Sequence, residues 1–391
     1  MQNEKTQWYA LEPTDAWFFR DGRPSNRGED QSDLESIFPP NARTLVGALR
    51  AALARSGPEK WDGRSSWEKG ITDVLGDGDD LKNLSFMGPF LSLNGDLLFP
   101  LPSHILGIES EENGKKIFKP KDWLVPSKEP LLTDLGKVFL PLPLKQREKP
   151  DKEEKNKEER PSSTQDFFVT KKGLDDVLKG TLPDSNEFIH RSDLFSLEPR
   201  VGIELDKTSR TTKNDGGLYN PVYVRLYHKG VQLVMGISGL PNGWELPDYF
   251  PLGGESRLAA CEKIVAQDFP RSVEGGQILI LLTPARFDNL WYGAGPGKDA
   301  SALSAEFSGK IKTASFDRPM GIGGWNSVNR KEMKIENKKE IKVGPLPLKP
   351  FVKAGAVWWL DESQMVNSDS VLKLGNETGF GYGIALIGKQ A

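Results

Sequence analysis

The chain has 391 residues, of which 37% are hydrophobic and 27% charged, and its net charge is −3. That length supplies a large core and predicts two or three domains. The acidic balance excludes nucleic-acid binding by overall positive charge, so any such site must be a local basic patch. A single cysteine, Cys261, excludes an intramolecular disulfide. No apolar run approaches the roughly 20 residues of a membrane span, and MQNEKTQWYALEP lacks the apolar core of a signal peptide. The expectation is a cytoplasmic protein without a membrane partner.

In chain order, Trp8–Phe19 (WYALEPTDAWFF) reads as an aromatic first strand that Pro13 can break. Arg20-Asp21-Gly22-Arg23-Pro24 reads as a turn, and residues 25–36 as a polar loop. Asn41 is placed to cap a helix whose apolar positions are Leu45, Val46, Leu49 and Leu53, and Gly57-Pro58 ends it. Strands are expected at Leu84–Leu93 and Asp96–Leu101. Lys145–Arg160 (KQREKPDKEEKNKEER) has no apolar residue to bury and reads as an exposed linker or insertion. Beyond it, Leu174–Leu178 reads as helix, and Arg200–Leu205, Tyr219–Leu226 and Val231–Ser238 as strands. Leu258–Val265 reads as a short helix, and Gly276–Thr283 and Ala356–Leu360 as apolar strands. Short strands interleaved with helices and many turns predict an α+β fold on open antiparallel sheets.

Several chemistries find no support. His104, His190 and His228 are scattered, and Cys261 stands alone, so a zinc site is not expected. Gly293–Lys298 (GAGPGK) departs from phosphate-loop spacing, with Asp299 where a magnesium-binding hydroxyl belongs, and reads as a loop. No serine has an identifiable histidine partner. His190 could serve as a general base, but a lone histidine is more often an ordinary partly buried or surface one. The positive signal is a set of arginines near glycines: Arg20, Arg23, Arg43, Arg200, Arg210, Arg257 and Arg318. A guanidinium binds phosphate bidentately, and nearby glycines allow close approach of a backbone. Any one of these segments alone is more often a turn with a structural ion pair; together they suggest one RNA-facing groove. The terminal Gly379-Phe380-Gly381-Tyr382-Gly383, followed by Ile384–Ile387, offers either curled N–H donors and stacking rings for RNA or a tight turn into a last strand.

The ordered set WYALEPTDAWFFRDGRP, FPPNARTLVGALRAAL, EPRVGIELDKTSRTTKNDGGLY, FPLGGESR, FDRPMGIGGW, FVKAGAVWWL and GFGYGIALIG resembles the RAMP superfamily of CRISPR proteins. It is most similar to the type III-B (Cmr) subunit that holds the 5′ end of the guide RNA. The resemblance spans Trp8 to Gly388. It departs at Ser25, where an aromatic is common, and at Lys145–Arg160, which looks like an insertion.

The resemblance implies two ferredoxin-like (RRM-like) domains with insertions. These are placed at 1–144 and 166–391, with 145–165 as the charged linker or insertion. It implies binding of the crRNA 5′ handle, docking on the large polymerase/cyclase-like subunit, and contact with the first backbone RAMP subunit, with no cofactor and no catalysis. The RNA-facing residues it implies are Arg20, Arg23, Arg43, Arg200, Arg210, Gly254, Arg257, Arg318, Gly323, Trp325, Gly379, Phe380, Gly381, Tyr382 and Gly383. The competing function is a metal-independent endoribonuclease that processes precursor RNA. His190 with Arg191 or Lys213 would then supply the base and donor.

Overall fold

The computed structural model describes residues 6–20, 36–133, 136–145, 161–203, 209, 211, 218–227, 229–288, 297–298, 303–304, 309–326, 330–332, 339–341, 344–365 and 371–390. The fold is α+β in the coarse sense, mostly β-sheet with few helices. It divides into two compact units, each assembled from three stretches of chain. The first comprises Met1–Pro89, Phe195–Val265 and Gly321–Lys349. The second comprises Phe90–Leu194, Ala266–Met320 and Pro350–Ala391.

The sheet of the first unit runs in the order Ser85–Leu93 (this unit ending at Pro89), Val231–Ser238, Gln7–Pro13, Leu258–Ile264, Tyr249–Pro251. Gln7–Pro13 pairs antiparallel with both of its neighbours. Pro13 does end the first strand, and the chain resumes pairing at Trp17, which bridges Val224. Leu258–Ile264 is a strand, not the short helix its sequence suggests. It is paired on one side with Gln7–Pro13 and on the other with Tyr249–Pro251, and two ladders of backbone hydrogen bonds override a modest local helix preference.

The helix Ala42–Ser56 forms where the apolar spacing places it. The Asn41 side chain accepts from the Thr44 N–H at 2.9 Å. Gly57 closes the last turn by donating to the Leu53 carbonyl at 2.8 Å. Leu45, Val46, Leu49 and Leu53 are fully enclosed, and each stabilises the fold by roughly 1.5–3 kcal/mol. Arg50, on the same helix, is buried and donates to the carbonyls of Leu75 and Gly78 at 2.8 and 3.0 Å. It thereby satisfies carbonyls at and beyond the end of the helix Lys69–Leu75.

In the second unit, Phe90–Leu93 pairs with Asp96–Pro100 through the turn Asn94-Gly95. Both turn residues have positive φ, +54° and +90°, as a two-residue hairpin turn requires. The strands Phe167–Thr170 and Phe188–His190 follow on the same sheet. A separate hairpin, Ile105–Glu112 with Lys115–Pro126, turns at Asn113-Gly114. The helix Lys171–Leu178 is capped by Thr170 and begins three residues before the expected start. A five-stranded sheet has the order Ile311–Ser315, Val357–Gln364, Gly276–Leu281, Ile384–Gly388, Leu372–Lys373. Its core holds Leu279, Leu281, Trp358, Leu360, Ala385 and Ile387. Residues 146–160 of the charged segment lie outside the described residues, as do residues 21–35.

Candidate nucleic-acid interface

Two of the expected arginines, Arg200 and Arg257, come together in the first unit around Asp15, joined by Arg225. Phe195–Pro199 and Val222–Leu226 form an antiparallel ribbon in which Glu198 lies opposite Tyr223 and Ser196 opposite Arg225. Alternation along an extended chain then puts Glu198, Arg200, Tyr223 and Arg225 on one face. The bridge from Trp17 to Val224 sets the bend at Asp15 beside the ribbon, and the Asp15 carboxylate meets Arg200 and Arg225 there. Arg257 arrives on the loop Leu252–Arg257. That loop lies against Phe18: the Gly254 N–H donates to the Phe18 carbonyl at 2.8 Å, and a Cβ on Gly253 would sit 2.6 Å from that oxygen. Gly254 therefore acts by close packing that positions Arg257.

The result is a charge cluster. Asp15 accepts from Arg200 at 3.1 Å, from Arg225 at 2.9 Å and from Arg257 at 3.4 Å. Glu198 accepts from Arg200 at 2.8 Å and from Arg225 at 2.6 Å. The guanidinium carbons of Arg200 and Arg257 stand 4.7 and 4.4 Å from the centre of the Tyr223 ring. Tyr223 itself is buried and offers no free face to a base. Hydrogen bonds from the arginines, Arg200 foremost at Asp15 and Arg225 foremost at Glu198, hold both carboxyls below the usual range against the opposing effect of burial. Among the described residues, three guanidiniums against two carboxylates leave one positive charge in excess.

Elsewhere in this unit, Arg20 is exposed and its backbone bridges Ser36. Arg43 sits in the first turn of Ala42–Ser56, where a cation opposes the helix dipole, and it pairs with Asp79. A Cβ on Gly324 would lie 3.4 Å from the Arg43 Cδ. The next residue, Trp325, is 64% exposed, an indole open to solvent. Gly323 lies half-buried against Leu346 and Leu348. In the second unit Arg318 is exposed. Arg23 and Arg210 fall outside the described residues. Asp15 and Arg225 were missed from sequence because neither stands beside a glycine. The signal that would have found Arg225 is strand alternation in VYVRL.

The terminal glycine segment has a different character. Phe380 and Tyr382 are buried, 4% and 1% exposed, and Tyr382 packs on Phe351 at 4.8 Å between ring centres. They present no stacking faces, which corrects the expectation of base-stacking rings. Gly381 and Gly383 have φ of +99° and +71°. The N–H groups of Phe380, Gly381 and Gly383 donate to the carbonyls of Glu377, Thr378 and Pro284 at 3.0, 3.1 and 2.9 Å. These donors are spent within the chain. Gly379 is half-buried at the start of the turn. A Cβ on Gly383 would lie 1.9 Å from the Leu374 carbonyl oxygen, so the segment is a tight turn into Ile384–Gly388.

His190 is buried, and its Nδ1 accepts from the Ser192 N–H at 3.1 Å. Burial, with Lys116 next in effect, lowers its pKa. Arg191 is paired with Asp166 at 3.0 Å, and Lys213 and His228 lie outside the described residues. Burial and Asp248 push the Cys261 thiol up to about 12, so it is no thiolate at neutral pH. Among the described residues no group of three or more His, Cys, Asp or Glu is placed to hold a metal ion, and no helix is long and apolar enough to cross a membrane.

Two solved structures contain a chain similar to this one. One is the cryo-EM structure of the type III-B Cmr-beta bound to cognate target RNA; the other is the same complex with AMPPnP, state 1. In each the identity is 16%, 88% of this chain and 86% of that chain are covered, and the TM-score is 0.36. Among curated proteins no sequence match was found. The family described as CRISPR-associated protein (Cas_Cmr3) matches residues 9–390. The chain belongs to the Cas_Cmr3 family and is a Cmr subunit.

Proposed function

We propose that this Cmr subunit works within a type III-B CRISPR effector complex as a non-catalytic RNA-binding protein that holds the 5′ handle of crRNA. In this reading it docks on the large polymerase/cyclase-like subunit and touches the first backbone RAMP subunit along the RNA. One observation carries the RNA assignment. In a chain of net negative charge, Arg200, Arg225 and Arg257 converge from three separate segments on one exposed place with an excess of positive charge. The exposed Trp325 adds a surface suited to base stacking.

Strand order supports the ferredoxin-like reading of each unit. Of the strands Gln7–Pro13, Ser85–Leu93, Val231–Ser238 and Leu258–Ile264, numbered one to four along the chain, the order across the sheet is two, three, one, four. Gly276–Leu281, Ile311–Ser315, Val357–Gln364 and Ile384–Gly388 lie the same way.

The endoribonuclease reading gains nothing from the geometry. Its candidate base, His190, is enclosed, and Arg191 is already paired. The test is RNA binding by the full chain with and without the large subunit, alongside incubation with repeat-containing RNA in EDTA. We expect weak binding alone, strong handle binding in the assembled complex, and intact RNA. Cleavage that is lost in His190→Ala would replace this reading with the nuclease.

A further inference from the structure

Arg200, Arg225 and Arg257 form a seat that is already occupied, and its occupant is Asp15. Both carboxylate oxygens and the backbone carbonyl of Asp15 accept from the cluster. Yet the Asp15 side chain is 45% exposed, on the rim of the cluster and not beneath it. Each guanidinium carries five N–H donors, and the hydrogen bonds to Asp15 and Glu198 number two from Arg200, three from Arg225 and one from Arg257. The Arg257 Nε is enclosed and finds no described partner. Arg257 contacts Asp15 only weakly, at 3.4 Å. Its place is instead fixed by the Tyr223 ring and by the glycine pair packed on Phe18. The guanidiniums are thus held by aromatic packing and by Glu198. Asp15 is the more exposed of the two carboxylates, 45% against 36% for Glu198, and it is a singly charged acceptor where a phosphate would bring more oxygens and at least equal charge.

We infer that Asp15 is an internal stand-in for phosphate. In the free chain its carboxylate occupies a three-arginine seat whose ligand is a phosphate group, and ligand phosphate must displace it. That RNA is the source of this phosphate rests on the function proposed above. Because Tyr223 is buried, the seat holds charge without reading a base, which fits a positioning contact rather than a specificity contact.

The test compares the wild-type full chain with Asp15→Asn, which keeps the shape and removes the competing charge. A short oligouridylate, uridine monophosphate and inorganic phosphate serve as separate probes. Affinity is read across a salt series and melting temperature on the same preparations. Expected for the variant is RNA binding tighter by about threefold to fivefold, the worth of an exposed ion pair, with a steeper salt dependence. Adding Arg257→Gln to Asp15→Asn should abolish the gain. A gain that survives in the double variant would be general charge and would overturn the inference. No gain with any probe would also overturn it, while RNA binding by the wild type would leave the proposed function standing. A gain with phosphate and the mononucleotide but none with RNA would support the seat and contradict the RNA reading. Asp15→Ser, which removes the same carboxylate, is melted alongside. Should both variants melt far below the wild type, Asp15 is a structural partner and the inference fails. Should only Asp15→Asn do so, the affinities are read on Asp15→Ser, with the same gain expected and its absence overturning the inference.

Discussion

The arginine cluster around Asp15 and the glycine turn at Gly379–Gly383 look alike in sequence, both being polar or flexible segments suited to RNA. In the structure they are opposites. The cluster is assembled from residues 15, 198, 200, 223, 225 and 257, and its cations remain partly exposed. The glycine turn is local in sequence, buried, and internally hydrogen-bonded. A conspicuous contiguous motif can be demanded entirely by backbone geometry, whereas a surface able to meet a ligand can be scattered through the chain.

The largest expected effect lies on the structural side of this contrast. Gly383→Ala forces a Cβ into the Leu374 carbonyl and keeps a side chain at φ +71°, and should cost about 3 kcal/mol or more. Gly95→Ala is the control, with φ +90° but nothing within 4 Å of the new Cβ, and should cost about 1 kcal/mol. Urea unfolding measures both. Normal stability in Gly383→Ala would make the turn a candidate ligand-facing element again.

Acid separates the regions next. His104 is buried between Trp123 and Trp359, with neither ring nitrogen bonded to a described partner. Burial depresses its pKa from 6.5 to about 3. The unfolded chain therefore takes up a proton that the folded chain refuses. Stability is complete above pH 6.5 and is lost as pH falls toward 3, by a slope approaching about 1.4 kcal/mol per pH unit from this one residue. His104→Phe should flatten the acid limb of the stability curve. An unchanged limb would show the ring finding a partner when protonated.

On the cluster's unit, Trp325→Ala should leave the melting temperature in place and weaken crRNA binding by about 1–3 kcal/mol, the worth of one stacked base. An unaltered affinity would remove Trp325 from the interface. The smallest effect is reserved for Asp79→Asn. It removes one carboxylate partner of Arg43 and should change stability by less than about 1 kcal/mol, while RNA binding, if it changes, should rise.

Much of the fold was legible in the chain because its signals are local. The Asn41 cap, the Leu45–Leu53 spacing and the apolar runs at Val231–Ser238 and Gly276–Leu281 each reflect burial and hydrogen bonding within a few residues. The Asn113-Gly114 hairpin carries an equally clear turn signal that went unread among its charged neighbours. Leu258–Ile264 was illegible for another reason: its conformation is decided by strands far away in sequence. Arg200 and Arg257 were visible beside their glycines. Their convergence on Asp15 was not, since it depends on the ribbon register that places Glu198 opposite Tyr223. The terminal glycines were visible too, but their burial against Leu374 and Pro284 is long-range packing that composition cannot reveal.

The most direct test of the account is the salt dependence of crRNA binding by the complex assembled with the triple variant Arg200→Gln, Arg225→Gln, Arg257→Gln. Each lost phosphate contact should lower the slope of log affinity against log salt by about 0.7, so the account predicts weaker binding and a clearly shallower slope in a complex that still assembles. Wild-type affinity with a wild-type slope would contradict it and make the three arginines partners of Asp15 and Glu198 alone.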